Sequence, residues 1–439
     1  MKIKKILVSL IILTLVTACL NGCVLGTKKY AVSGKVVGLD GTPLAGVSLK
    51  FGSFGVSQTN SEGKWQKSGL EGTVKIELSS EELANTWWFP SRTVTKTAKQ
   101  VDFIAVPRLK SIQQAIDLAV DGETITVPPG LYEENIDFSG KNITLTGADP
   151  KDHAIVAATI IDGGDKGTVV SIRKGESAAV LTGLTIQGGT GTTLLGSETT
   201  YGGGIYISDS TAIIRYNIIE SNIADYGAGI FVESGAQTIS ENTIKKNVAL
   251  VDGGGIYVQG GIHTIFDNLL NGNSAFFAGG GLYLQEGEFT ITGNILDDNI
   301  GALGGGGGMH LNSCIARITN NIVEQNSSTE GGGIYIVGGK STISGNMINR
   351  NDAGNGGGLF CSGVADVVLA ANTFQANRAF GEMGAGAVFL QWDGSTIKDE
   401  KGQLLSTDND NNVYVDNEPD DRFYEHARSK KIFKKLGNL

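Results

Sequence analysis

An aromatic ring or an imidazole recurs at Tyr206, Phe231, Tyr257, Tyr283, His310, Tyr335 and Phe360, each inside a Gly-apolar-x-apolar segment. Flat rings at a fixed period can stack on one another or on the apolar face of a sugar ring. Carboxylates recur just before the glycine runs, at Asp225, Asp252 and Glu330, and Asp297 and Asp298 share a turn. Such oxygen clusters suit calcium, although solvated turn charge is the better reading of them. Lys245, Lys246 and Arg350 occupy the same columns as Asp297 and Asp298 and are the available bases. Cys314 and Cys361 fall at different points of different repeats, so they read as packed thiols rather than a disulfide or metal pair. His153, His263, His310 and His426 lack ligand spacing. No Walker loop, zinc spacing or nucleophile elbow is present. Nor is there a pair of carboxylates at a set separation, as glycosidases require.

The elements that must position these residues are repeats. Glycine makes up 64 of 439 residues, about twice its average share. Of 29 asparagines, 24 lie at or after position 217, a skew that signals an array. A glycine turn leads into a strand at Ile205, Ile230, Ile256, Leu282, Met309, Ile334 and Leu359, at spacings of 25, 26, 26, 27, 25 and 25. Each repeat also carries two asparagines five positions apart, from Asn217/Asn222 to Asn372/Asn377. Apolar residues hold fixed places around them: Ile214 to Leu369 three before the first asparagine, Ile219 to Phe374 two after it. Runs this short are strands, and one coil of a β-helix per 25 residues fits them. Stacked asparagines would bond from coil to coil and tolerate the left-handed backbone of sharp turns. Within each Gly-Ile-Tyr-Ile, alternation sends the isoleucines inward and the ring outward. Adjacent coils would lie about 4.8 Å apart, near the length of a sugar ring. The outward column is therefore either a polysaccharide platform or a ladder sheltered beneath the glycine turns.

These repeats resemble the Gly-Gly-x-Ile and Asn motifs of chlamydial polymorphic outer-membrane proteins and the pectate-lyase-like right-handed parallel β-helices, over 111–420 within a β-helix domain expected at 107–420. Ser111 and Gln114 form a capping box, and Ile112, Ala115, Ile116 and Ala119 share one helical face. The block from Ser111 to Gly189 resembles the opening of bacterial β-helices, where a helix caps the coil. Its strand-like pieces are Ile143–Thr146, Ala158–Ile161, Val169–Ile172 and Leu181–Ile186. After Gly386 the period breaks at a polar insertion, 393–408, and returns with Asn412, Tyr414 and Asn417. The remainder, 421–439, reads as a tail with a solvated basic run from Arg428 to Lys435.

Before the helix, 19–106 holds Val32–Val37, an Asp40-Gly41 turn, a strand after Pro43, and a turn at Asn60–Gly63 followed by Trp65. With Phe89–Val94 and Val101–Phe103 this resembles a carboxypeptidase regulatory-like domain, a small β-sandwich used as a spacer or interaction module and devoid of peptidase chemistry. The expected fold class is thus all-β: a right-handed parallel β-helix with a short capping helix, preceded by a small β-sandwich. At the start, Lys2, Lys4 and Lys5 precede an apolar Ile6–Val16, which makes 1–18 a secretory leader. Leu15-Val16-Thr17-Ala18-Cys19 resembles a bacterial lipobox, implying lipidation at Cys19, with Cys23 the alternative and ordinary signal cleavage the plainer reading. A lipid would tie the protein to the cell envelope without spanning the membrane.

Without the leader lysines, 32 basic residues face 45 acidic ones, which disfavours nucleic acid as a partner. The expected function is a surface-anchored binding or adhesion module for a polysaccharide or cell-surface glycan, with no cofactor required. The resemblance also admits a calcium-dependent polysaccharide lyase with a Lys or Arg base, or another carbohydrate enzyme of that fold. A purely structural envelope component is the third reading.

Overall fold

A computed structural model describes residues 28–194, 196–381, 385–391, 395–404 and 411–418, and the backbone of 422–424. The leader, Cys19, Cys23, His426 and the basic run of the tail lie outside the described residues. No helix among the described residues is long and apolar enough to cross a membrane. The chain divides into two compact units, at Arg108 and Leu109.

The first unit pairs two four-stranded sheets. Tyr30–Gly38 runs between Lys64–Leu70 and Phe103–Pro107, with Trp87–Trp88 at the far edge. Ser48–Lys50 lies between Val56–Gln58 and Val74–Ser79, beyond which comes Arg92–Val94. Phe51 and Phe103 pack on Trp65 at 5.6 and 5.9 Å between ring centres, forming the buried middle. The expected turns are present: the Asp40 carboxylate accepts from the Thr42 N–H, and the Asn60 amide oxygen accepts from the Glu62 and Lys64 N–H groups.

The second unit is a parallel β-helix. One coil shows its plan: Ile256–Gln259, Ile262–Phe266, Leu269–Asn271 and Ser274–Ala275 contribute to the first, second, third and fourth sheets. The first three sheets have eleven strands each and the fourth has nine. Side chains from successive coils stack in register inside. One column runs Ile214, Ile239, Ile265, Ile291, Ile318 and Ile343, all fully buried. Cys361 takes its place in the column of Val258, Leu284, Leu311 and Ile336. Both Cys314 and Cys361 are buried and outside any disulfide. The Cys314 thiol donates to the carbonyls of Leu284 and Asn312, and burial pushes it up to about 11.

The asparagines form two saturated ladders at the corners. The Asn294 amide donates to the Asn321 Oδ1 at 3.0 Å and to the Ile265 carbonyl at 2.9 Å. Its own oxygen accepts from the backbone N–H and the side-chain amide of Asn268. Every polar position of the side chain is used, which is what a group 1% exposed requires. The left-handed backbone falls elsewhere than expected. It is adopted by the residue before each asparagine, such as Asp267, Asp298 and Gln325, at φ between 54° and 57°. That residue turns the corner, and the asparagine behind it is thereby aimed inward.

The helix Ile112–Leu118 buries Ile112 and Ile116 on the first coils. Ser111 caps it by accepting from the Gln114 N–H, and Glu134 accepts from the Ile112 and Gln113 N–H groups. Three local readings change. A short helix, His153–Ala158 capped by Asp152, precedes a strand at Thr159–Asp162, so that strand starts one residue later than expected. The piece 181–186 is two strands, split by a corner at Gly183 with φ 71°. Within the polar insertion, Thr396–Lys398 is a regular strand of the second sheet, so the expansion follows Lys398. Asn412 and Asn417 then rejoin the ladders.

Candidate functional site

The expected ring column lies on the outer side of the first sheet, and it is covered. Tyr206, Phe231, Tyr257, Tyr283, His310 and Phe360 are all under 9% exposed, and Tyr335 is half-buried. Successive rings stack: Phe231 on Tyr257 at 5.2 Å, Tyr257 on Tyr283 at 4.8 Å, Tyr283 on His310 at 4.7 Å. Tyr201 and Tyr226, from the fourth sheet, close over them edge-on. The glycine turns supply the rest of the cover. Gly253 has φ 70°, and a Cβ there would stand 2.7 Å from the Tyr257 Cβ. Hydroxyls are spent within the ladder, Tyr206 on Glu233 and Tyr257 on Gln285. Burial pushes the Tyr257 and Tyr283 phenols up and lowers the His310 imidazole to about 4, which keeps all three neutral. The open platform is corrected to a sheltered ladder: outward from the sheet means beneath a turn here. Apart from half-buried Tyr335, these rings offer little face to a polysaccharide.

The charged columns tie coils together. Asp225 accepts from the Thr200 N–H and hydroxyl, and Asp252 accepts from the Ala278 N–H at 2.9 Å. Burial raises the Asp252 carboxyl to about 6. The Glu330 backbone carbonyl accepts from the Gly306 N–H. On the third sheet Lys245 pairs with Glu220 at 3.1 Å and Arg350 with Glu324, while Asp297 accepts from Asn271 and Gln325. Lys246, Asp298 and Arg350 are corner residues with positive φ. Among the described residues, no group of three or more His, Cys, Asp or Glu side chains gathers as metal ligands would.

An open concavity of the helix lies instead on the outer face of the second sheet. Two columns line it in register. One runs Thr264, Thr290, Arg317, Thr342, Val368 and Lys398; the other runs Ile262, Glu288, Ile315, Lys340, Asp366 and Thr396. Alternation puts these side chains out while His263, Phe289, Ala316, Ser341 and Val367 point in. Lys398 reaches Asp366 at 2.7 Å, and Thr396 donates to the same oxygen at 3.0 Å. The lysine holds that carboxyl below the usual range. Arg317 and Lys340 are exposed and enter no ion pair among the described residues. Beneath the groove, His263 stacks on Phe289 at 5.6 Å; its Nδ1 accepts from the Gln237 N–H, and Nε2 lies 2.7 Å from the Gly260 carbonyl. Burial lowers this imidazole too, so it sits there neutral.

The sequence reading passed over this face, though its signal is simple. Each outward residue directly precedes a member of the inward isoleucine column: Thr264-Ile265, Thr290-Ile291, Arg317-Ile318, Thr342-Ile343. The fourth sheet carries a different outer strip, with Val248, Leu250, Phe276, Phe277, Ile300 and Leu303 exposed.

Comparison with known proteins places this geometry in context. A family model described as "Right handed beta helix region" matches residues 135–275 and 228–418. Among solved structures, the chain is similar to a pectin methylesterase from Yersinia enterocolitica at 12% identity and a TM-score of 0.29, over 75% of this chain and 97% of that one. No curated protein matches.

Proposed function

The chain belongs to the right-handed β-helix family, and on that premise we propose that it is a surface-anchored binding or adhesion module that holds polysaccharide along the second sheet. The observation that carries this reading is the open groove. Threonine hydroxyls recur there at the coil pitch of about 4.8 Å; Arg317 enters no ion pair among the described residues, and exposed Lys340 lies beside Asp366 in register and adds to the pull on that carboxyl. A linear glycan laid parallel to the axis would meet a hydroxyl or cationic group at Thr264, Thr290, Arg317 and Thr342, and the Asp366 carboxylate beside Val368 one coil further on. In the same proposal Cys19 carries the lipid that holds the protein at the bacterial cell envelope; fatty-acid labelling that survives Cys19→Ser would sink that part.

The alternative is a carbohydrate enzyme. It draws on Arg317, a basic residue that interrupts the threonine column near Glu288. Against it, Asp366 is tied to Lys398 and held down, which suits an ion pair better than a proton donor. A glycan array separates the readings. The Arg317→Ala/Lys340→Ala variant should lose binding by about tenfold or more, roughly 1.4 kcal/mol, with its melting temperature nearly unchanged. An unaltered array profile would overturn the groove, and shortening of the bound polymer by the native protein would establish catalysis.

A further inference from the structure

The first unit has a cleft of its own, built around adjacent tryptophans. Trp87–Trp88 is the edge strand of its sheet, pairing with Val106 and Pro107. Alternation divides the two rings. Trp87 packs on the core and lies against Gly38, where a Cβ would come within 2.6 Å of the indole. Trp88 lies outside the core cluster and lines the cleft with Trp87 and Phe89, which also pack against the core; all three are half-buried. The turn before the strand is fixed by the Ala84 N–H donating to the Ser80 carbonyl and the Trp87 N–H to the Leu83 carbonyl. That turn holds Glu81 and Glu82 at the rim, both exposed and in no ion pair among the described residues. On the same cleft the Arg108 Nε donates to the Ala84 carbonyl at 2.8 Å, which orients the guanidinium, and among the described residues its terminal nitrogens enter no ion pair.

We propose that this cleft is a second carbohydrate site, taking one or two neutral sugar units against the Trp88 ring. An indole presents a flat, electron-rich face that suits the C–H face of a pyranose. The surrounding groups answer the rest of the ligand: carboxylates accept from sugar hydroxyls, and a fixed guanidinium donates to them. The charges at the rim are mixed, so neither a polyanion nor a polycation is favoured. Nothing in the argument uses the β-helix groove, so the two sites stand or fall separately. Two weak sites on one chain would reinforce each other on a polymer wherever both can engage it.

Titration of the full chain with cello-, malto-, xylo- and chito-hexaose, followed by tryptophan emission, tests this. At least one should shift the emission, and Trp88→Ala should weaken that binding about tenfold or more. Trp88→Phe should retain most of it, because a flat ring remains. Glu81→Gln/Glu82→Gln gives a second reading that leaves the tryptophan strand untouched, and weaker binding is again expected. Binding should persist in the Arg317→Ala/Lys340→Ala background, which separates this site from the groove. The proposal is overturned if no hexasaccharide binds at about 10 mM, a few kcal/mol at most, or if Trp88→Ala and the glutamine variant both bind like the native protein. A response confined to added peptides would overturn it in favour of a polypeptide ligand.

Discussion

The first and second sheets of the helix follow the same alternation and end in opposite surroundings. On the first, the outward residues are rings such as Tyr257 and Tyr283, shut beneath glycine turns and the tyrosines of the fourth sheet. On the second, the outward residues are Thr264, Thr290 and Arg317, and they line an open groove. The difference comes from the connections. A run of glycines between the fourth and first sheets has no side chains to hold it away, so the backbone lies down on the rings. The second sheet follows short two-residue turns such as Gly260-Gly261, and among the described residues its outer face stays open as a groove. Strand alternation settles which side of a sheet a residue faces; the chain on either side of the strand settles whether that side meets water.

The sharpest way to break this contrast is to remove the rings. Tyr257→Ala/Tyr283→Ala should cost about 3–5 kcal/mol for each ring, as large aromatic truncations in cores do, and calorimetry should show a much lower transition. A double variant that melts like the native protein would return the column to the surface. Next comes the interior ladder. Asn294→Ala strands the Asn268 donors and the Ile265 carbonyl, at about 1–3 kcal/mol for each unpaired group, so a total near 3 kcal/mol or more is expected in urea titration. A loss under about 0.3 kcal/mol, below that range, would mean that water replaces the amide freely.

The smallest effect concerns the cover over the ring ladder, at Asp252, where a fourth-sheet strand enters the glycine turn. Burial raises its folded-state carboxyl to about 6, above its unfolded value. The native state therefore holds this proton more tightly than the unfolded chain does. Stability from this group is fully present below about pH 4 and falls as pH rises toward about 6. Asp252→Asn keeps an acceptor for the Ala278 N–H and removes the charge. It should gain about 1–2 kcal/mol near neutral pH and almost nothing near pH 4. A gain of the same size at both pH values would show that the carboxylate is solvated.

Most of the fold was legible because its rules are local and repeated. The two asparagines five apart, with isoleucine at fixed offsets, specify a coil, and seven copies exclude coincidence. The breaks were harder to read. Gly183 turns a corner inside what looks like one apolar run, because a single left-handed residue leaves no trace in hydrophobic spacing. The ring column was legible as a column, yet its cover comes from Tyr201 and Tyr226 on neighbouring coils, contacts that spacing does not reveal. The Trp88 cleft was less legible still. Its parts, Ser48, Glu81, Trp88 and Arg108, are scattered over sixty positions of a domain without repeats.

The asparagine ladders also have an electrical side. In both, each amide oxygen points to the preceding coil, while the amide nitrogen donates forward to the next asparagine oxygen and back to a backbone carbonyl of the preceding coil, from Asn217 through Asn377. Backbone dipoles in neighbouring strands largely cancel in a sheet, but these amides are all aligned. The interior therefore carries two parallel rows of dipoles, positive toward the C-terminal end and negative toward the capping helix. Their polarity is opposite to that of an α-helix, whose N-terminus is the positive end. At the negative end, the first amide oxygens are met by the N–H groups of Leu184 and Gly189. The field is set by the reading direction of the chain, and lengthening the stack by whole coils would extend it without changing its sign.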